Sequence, residues 1–226
     1  KGGHSGLDIH LGRANAAKLL GRLLKKLEGV EYQVARITGG SKRNSIPREA
    51  EATILLNPSD AGIVKNIINK FLEEVITEYL KNDGGLKIEF DQKDRRFDKV
   101  FEVDFFAKII DVILALPHGI IAMSPDIPNL VETSTNLATI VMEEDEIKVE
   151  TSQRSSIESA KAYIAGSVGA LFRLAGARIL GENDYPGWKP NLDSEILGIS
   201  TQVYKSLFDK QPEIKAIHAG LECGLI

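Results

Sequence analysis

The sequence predicts an α+β fold, an antiparallel sheet flanked by helices, on three observations. Apolar residues recur at helical spacing in five segments, alternating residues fill the gaps between them, and Gly, Pro and Asn-Asp clusters punctuate the joints. The resulting order, β-α-β-β-α-β roughly twice over, is that of layered sheet and helices.

The first helix is expected over Ala14 to Glu28, where Ala17, Leu20, Leu23, Leu24 and Leu27 share a face. Val30 to Thr38 alternates as a strand and breaks at Gly39-Gly40-Ser41, and Ala50 to Leu56 is a second strand ended by Asn57-Pro58. Ser59 or Asp60 caps a long helix to about Lys81, striped by Ile63, Ile67, Ile68, Phe71, Leu72, Val75, Ile76 and Tyr79. Asn82-Asp83-Gly84-Gly85 closes it, Leu86 to Phe90 reads as a strand, and Asp91 to Lys99 as a charged surface loop.

The second half repeats the logic. Asp104 caps a helix to about Leu116, after which Pro117, Pro125 and Pro128 mark irregular backbone. Ser134 to Met142 and Ile147 to Ser152 form a hairpin turning at Glu143-Glu144-Asp145-Glu146. Ser155 or Ser156 starts a helix to about Ala175, with Glu158 placed for a capping box. A short strand, Ala177 to Leu180, precedes the punctuation Gly181 to Pro190, which reads as a domain boundary. Beyond it Asp193 caps a helix to about Phe208, and Ile214 to His218 reads as a strand.

Composition excludes several roles. Hydrophobic residues at 43% and charged residues at 27% are an ordinary globular balance for 226 residues. A net charge of −4 argues against a nucleic-acid partner, which would select a basic face. Phe105 to Leu116, the best candidate for a membrane span, contains Lys108 and Asp111 and stops at Pro117. The single cysteine, Cys223, excludes an internal disulfide framework, fits a cytoplasmic setting, and reads as a small buried hydrophobe. The chain begins Lys1-Gly2-Gly3 without methionine and stops on Gly224-Leu225-Ile226, so both ends read as cuts.

Chemistry-bearing residues are few. Of the four histidines, His4 and His10 lie with Asp8 in the densest polar group, but no second Cys/His cluster completes a metal site. Gly2-Gly3-His4-Ser5-Gly6 lacks the spacing of a nucleophile elbow, and lacks the strand and lysine of a phosphate loop. His10 and His118 read as structural. These residues alone define an α/β protein of open function.

Ordered motifs add a resemblance. Lys1 to His10 followed by Gly12-Arg13-Ala14-Asn15-Ala16, then Lys42 to Ala50, then Gln153-Arg154-Ser155-Ser156, then Tyr185-Pro186-Gly187-Trp188 and Ile217 to Gly224 run in one order along the chain. Together they resemble bacterial aminoacyl-histidine (Xaa-His) dipeptidases of the peptidase D type, relatives of carnosinase and carboxypeptidase G among the dinuclear-zinc exopeptidases. The resemblance implies a ferredoxin-like β-α-β-β-α-β lid, here doubled, over residues 1–184. Residues 185–226 would then be a partial return into the catalytic domain.

The resemblance also implies roles. His4 matches a lid histidine that stabilises the oxyanion of the tetrahedral intermediate. Arg154 matches the arginine that grips the substrate's terminal carboxylate, and Asn44 a lid asparagine that hydrogen-bonds the substrate. Glu222 and Gly224 fall in a segment bordering the substrate pocket. Each has a bland competitor: a turn histidine, a surface ion pair of Arg154 with Glu150 or Glu158, a turn asparagine and a strand-end carboxylate.

The family's metal-binding His-x-Asp motif and acidic ligands match nothing in this chain. The two zinc ions are therefore expected in the full-length parent and none on this piece, which alone should hydrolyse nothing. Expected partners are the dipeptide substrate, the remainder of the catalytic domain and a second copy as a homodimer, with no nucleic acid and no membrane. His4 would act in trans across that dimer, or in cis if the doubled lid replaces the partner. Two other classes stay open: a non-catalytic oligomerisation module, and the lid of a related carboxypeptidase or acyl-amino-acid hydrolase.

Overall fold

The computed structural model describes residues 1–143, 146–181 and 184–214. Its strands are β1 (Gly3–His4), β2 (Tyr32–Gly39), β3 (Ser45–Ile46), β4 (Ala50–Leu56), β5 (Gly119–Met123), β6 (Val131–Glu143) and β7 (Glu146–Ser155). The helices are α1 (Ala16–Lys26), α2 (Ala61–Asp83), α3 (Val103–Ala115), α4 (Glu158–Leu174) and α5 (Glu195–Phe208). Every strand pairing is antiparallel.

β6 organises the main sheet. β7 runs along one edge of it from Thr133 to Glu143, leaving the other edge to be shared end to end by β5 and β2. β4 then pairs with β2 at the far side. The expected doubling takes the form of a repeated helix-strand-strand-helix order. The first set is α1-β2-β4-α2; the second is α3-β6-β7-α4, with β5 added before β6. The two sets meet at Gly39 and Ile140 in the sheet and where α1 packs on α3.

Helix contacts are apolar and close. Val64, Ile68, Phe71 and Val75 give α2 its buried stripe, and a Cβ on Gly21 of α1 would collide with Ile113 of α3. A bulge in β6 between Leu137 and Thr139 turns both Leu137 and Ile140 into the core, which strict alternation would not allow. Buried Asn15 caps α1 by accepting from Lys18 N and donates Nδ2 to the Leu137 carbonyl, tying helix to sheet. Lys18 Nζ donates to the carbonyls of Ile113, Leu114 and Leu116 at the end of α3, satisfying acceptors a helix terminus leaves open.

His118 sits beside this junction, with Nδ1 3.4 Å from Asn15 Nδ2. Burial, and secondarily the Lys18 charge, push it down from 6.5 to about 4. The unfolded chain therefore takes up the proton first as pH falls. The stability associated with neutral His118 is complete above pH 6.5 and is lost as pH approaches 4. That loss should amount to about 2–3 kcal/mol after solvent screening. Urea melts at pH 7 and pH 4.5 should show the acid loss in the wild type and a smaller one in His118→Gln.

Local differences from the expected elements have physical causes. Leu86, Ile88 and Phe90 pack against the core in strand-like alternation, yet residues 86–90 pair with no strand of the sheet. Residues 177–180 form no strand, and Ile179 and Leu180 are exposed. β5 occupies backbone expected to be irregular, with register shifts at Ile120–Ala122 and Ala122–Met123 absorbing the mismatch. Glu102, not Asp104, caps α3 by accepting from Asp104 N and Phe105 N. Glu158 does not close a capping box; it accepts from Gly187 N and pairs with Lys161. The expected strand from Ile214 to His218 falls, beyond Ile214, outside the described residues.

Candidate functional site

The face of β6 and β7 turned away from the main core is polar. Cross-strand pairing sets Ser134 opposite Arg154 and Asn136 opposite Ser152, so these four side chains share that face. Two segments cover it, residues 1–13 and 41–48, joined by the short β1–β3 ladder that pairs Gly3 with Ile46 and His4 with Ser45. Ile9, Ile46 and Val131 form a small apolar cluster beneath them. Gly40, at φ 70°, starts the second segment, and any Cβ there would run into the Ala138 carbonyl.

Residues 2–13 are knotted around Asp8. Its Oδ2 accepts the His4 backbone N–H at 2.9 Å, and Arg13 pairs with it at 3.6 Å while donating to the Gly2 carbonyl. The His4 ring is held from one side: Nδ1 accepts from Gly6 N at 3.1 Å and Leu7 N at 3.0 Å. Two amide donors on Nδ1 leave the ring proton of neutral His4 on Nε2. The same two amides are thereby spent and do not form an anion cradle. Burial first, then the charge of Arg154, hold His4 below 6.5, with Asp8 opposing. The imidazole is accordingly neutral at physiological pH.

Arg154 lies next to it. One terminal nitrogen donates to Ser5 Oγ at 3.4 Å, and burial lowers its affinity for its proton without removing the charge. It makes no surface pair with Glu150 or Glu158: Glu150 accepts from Thr139 and faces Lys148, and Glu158 is taken by Lys161 and Gly187. Ser5, only 1% exposed, also reaches Ser152 Oγ at 3.5 Å, and its N–H donates to the Asn44 carbonyl at 2.8 Å. Asn44 itself is exposed at the rim.

The fold thus brings His4, Asn44 and Arg154 together from three separated stretches of sequence. Glu222 and Gly224 lie outside the described residues. The sequence reading missed Ser5, Asn136 and Ser152. A signal existed for Asn136, since Thr133 to Asn136 is a polar run ahead of the largely apolar stretch Leu137 to Met142. Among the described residues no three His, Cys, Asp or Glu side chains gather to hold a metal ion. Two would-be ligands are otherwise engaged, His4 through Nδ1 and Asp8 with His4 and Arg13. The described residues therefore do not fit a dinuclear metal centre.

A neutral imidazole beside a half-buried guanidinium offers hydrogen-bond donors to an anionic group. Residues 1–83 match the family model described as Peptidase dimerisation domain. Over its whole length the chain is 36% identical to the cytosol non-specific dipeptidase of Escherichia coli (strain K12), of which it covers 46%. It is also similar to the crystal structure of aminoacylhistidine dipeptidase from Vibrio alginolyticus. That match has a TM-score of 0.91 at 38% identity, over all of this chain and 46% of that one. The dipeptidase resemblance read from short motifs is therefore shown along the entire chain, which spans about half the length of the relatives it matches.

Proposed function

We propose that the chain is the lid portion of a metal-dependent dipeptidase that hydrolyses Xaa-His dipeptides. The observation that carries this reading is neutral His4, its Nδ1 held by two amides, set beside half-buried Arg154. Arg154 would hold the dipeptide's terminal carboxylate in a bidentate fork, Asn44 would hydrogen-bond the substrate from the rim, and His4 would donate to the oxygen that gains charge as the peptide carbonyl becomes tetrahedral. Glu222 and Gly224 would border the pocket from the return segment.

The lid would extend over residues 1–184 and the return segment over 185–226. α5 supports that division, since it buries none of its residues and leaves Ile196, Val203, Leu207 and Phe208 exposed. Two zinc ions would belong to the remainder of the parent and none to this chain. The parent would work in the cytoplasm, and the dimerisation module would pair it with a second copy. No described helix is long and apolar enough to cross a membrane.

The test compares two proteins on one Xaa-His dipeptide. Full-length protein should turn it over and lose activity on chelation, while residues 1–226 alone should release no histidine. Absence of turnover by the full-length, zinc-loaded protein would sink the dipeptidase reading.

A further inference from the structure

The polar face holds two buried atoms without hydrogen-bond partners among the described residues: Asn136 Oδ1 and Arg154 Nε. One is an acceptor and the other a donor. They lie on the same face of the hairpin, in neighbouring cross-strand pairs. Asn136 is only 1% exposed, so neither solvent nor the rim supplies what its oxygen lacks. Its amide orientation is set by chemistry: Nδ2 donates to the Ser45 carbonyl at 2.9 Å, a contact only the nitrogen end can make, which presents Oδ1 to the polar layer.

Resting on the lid reading above, we propose that Asn136 is the positioning residue for Arg154, its Oδ1 receiving the Arg154 Nε–H when the guanidinium engages a substrate carboxylate. A guanidinium that offers its two terminal nitrogens to a carboxylate still has its Nε–H, which points out from the side of the side chain, to be satisfied by another acceptor. That edge needs an acceptor fixed from beneath, and the hairpin supplies one whose other end is anchored on β3, the strand partner of His4. One terminal nitrogen donates to Ser5 Oγ at 3.4 Å, a long contact that a carboxylate readily replaces. The two orphan atoms are thus complementary groups whose pairing belongs to the liganded state.

A double-mutant cycle on the full-length zinc enzyme tests this, using one Xaa-His dipeptide and its C-terminal amide. Asn136→Ser should raise KM for the free-acid dipeptide about tenfold, leave kcat and the amide's kinetics near wild type, and add nothing in an Arg154→Ala background. The Arg154 Nε–H proton, identified by its absence in Arg154→Lys, should become protected from exchange when free histidine is added to the wild type. It should stay unprotected in Asn136→Ser. The isosteric Asn136→Asp serves where Asn136→Ser folds poorly, and its carboxylate should hold the arginine permanently, with protection independent of histidine. Additive losses in the cycle, or equal histidine-dependent protection in wild type and Asn136→Ser, would overturn the role. The exchange readout needs no turnover, so failure of the dipeptidase reading shows separately, as an inactive wild type.

Discussion

In the full-length enzyme, His4→Ala is expected to lower kcat for an Xaa-His dipeptide by about 100-fold or more, with metal content and thermal unfolding unchanged. The size follows from the role: one preorganised donor aimed at a developing oxyanion is worth roughly 3–4 kcal/mol of barrier in a closed site. The geometry is built for that donor. Both lone-pair contacts at Nδ1 are amides from the next turn, so the ring cannot flip tautomer without losing two hydrogen bonds. Acidification should mimic the mutation, because protonating Nδ1 ejects the Gly6 and Leu7 amides. That titration lies below 6.5, where burial and Arg154 place it. Unchanged turnover in His4→Ala would reduce the residue to the local scaffold it also forms.

Arg154→Ala should be comparably severe but of different kinetic character. Removing one partner of a desolvated ionic contact costs about 2–5 kcal/mol, so kcat/KM should fall at least about 30-fold, mainly through KM. The C-terminal amide of the same dipeptide should show little change, since it offers no carboxylate to the fork. Arg154→Lys should recover part of the loss, keeping the charge but not the bidentate geometry. Arg154→Ala should also raise the His4 titration point, because the guanidinium charge helps depress it. Equal losses for acid and amide would remove Arg154 from carboxylate recognition.

Much of the architecture was legible because it rests on local periodicity. The stripes of α1, α2 and α3 are properties of neighbouring residues, and burial follows them, whereas in β2 a register shift between Val34 and Arg36 puts Val34 and Ile37, three apart, into the core. Residues 86–90 show the limit: their alternation is genuine and packs Leu86, Ile88 and Phe90 against the core, but whether a segment pairs with a distant strand is something no local pattern encodes. β5 shows the converse, a strand created by the open half of the β6 edge in a proline-flanked stretch that reads as loop. Caps shifted by a residue or two, as at Glu102, since several adjacent polar side chains compete for the same amides.

The candidate site divides in the same way. His4, Asn44 and Arg154 stood out through motifs, but nothing along the chain says that residues 4, 44 and 154 meet. Ser5 and Asn136 carried no motif of their own. They matter because a bulged hairpin turns one polar face toward the β1–β3 ladder, and because burial there converts ordinary side chains into groups that must find partners. The sequence by itself determined the α+β class, the helical and strand segments, and the residue types available for anion recognition, all through short-range spacing. Only the tertiary structure decided the joining of two half-sheets at β6, the tautomer of His4 and the pairing of Arg154 with Ser5. The first and last of these depend on partners more than a hundred residues apart, which meet only once the chain has closed on itself, whereas the tautomer is set by the local fold that brings the Gly6 and Leu7 amides onto the ring.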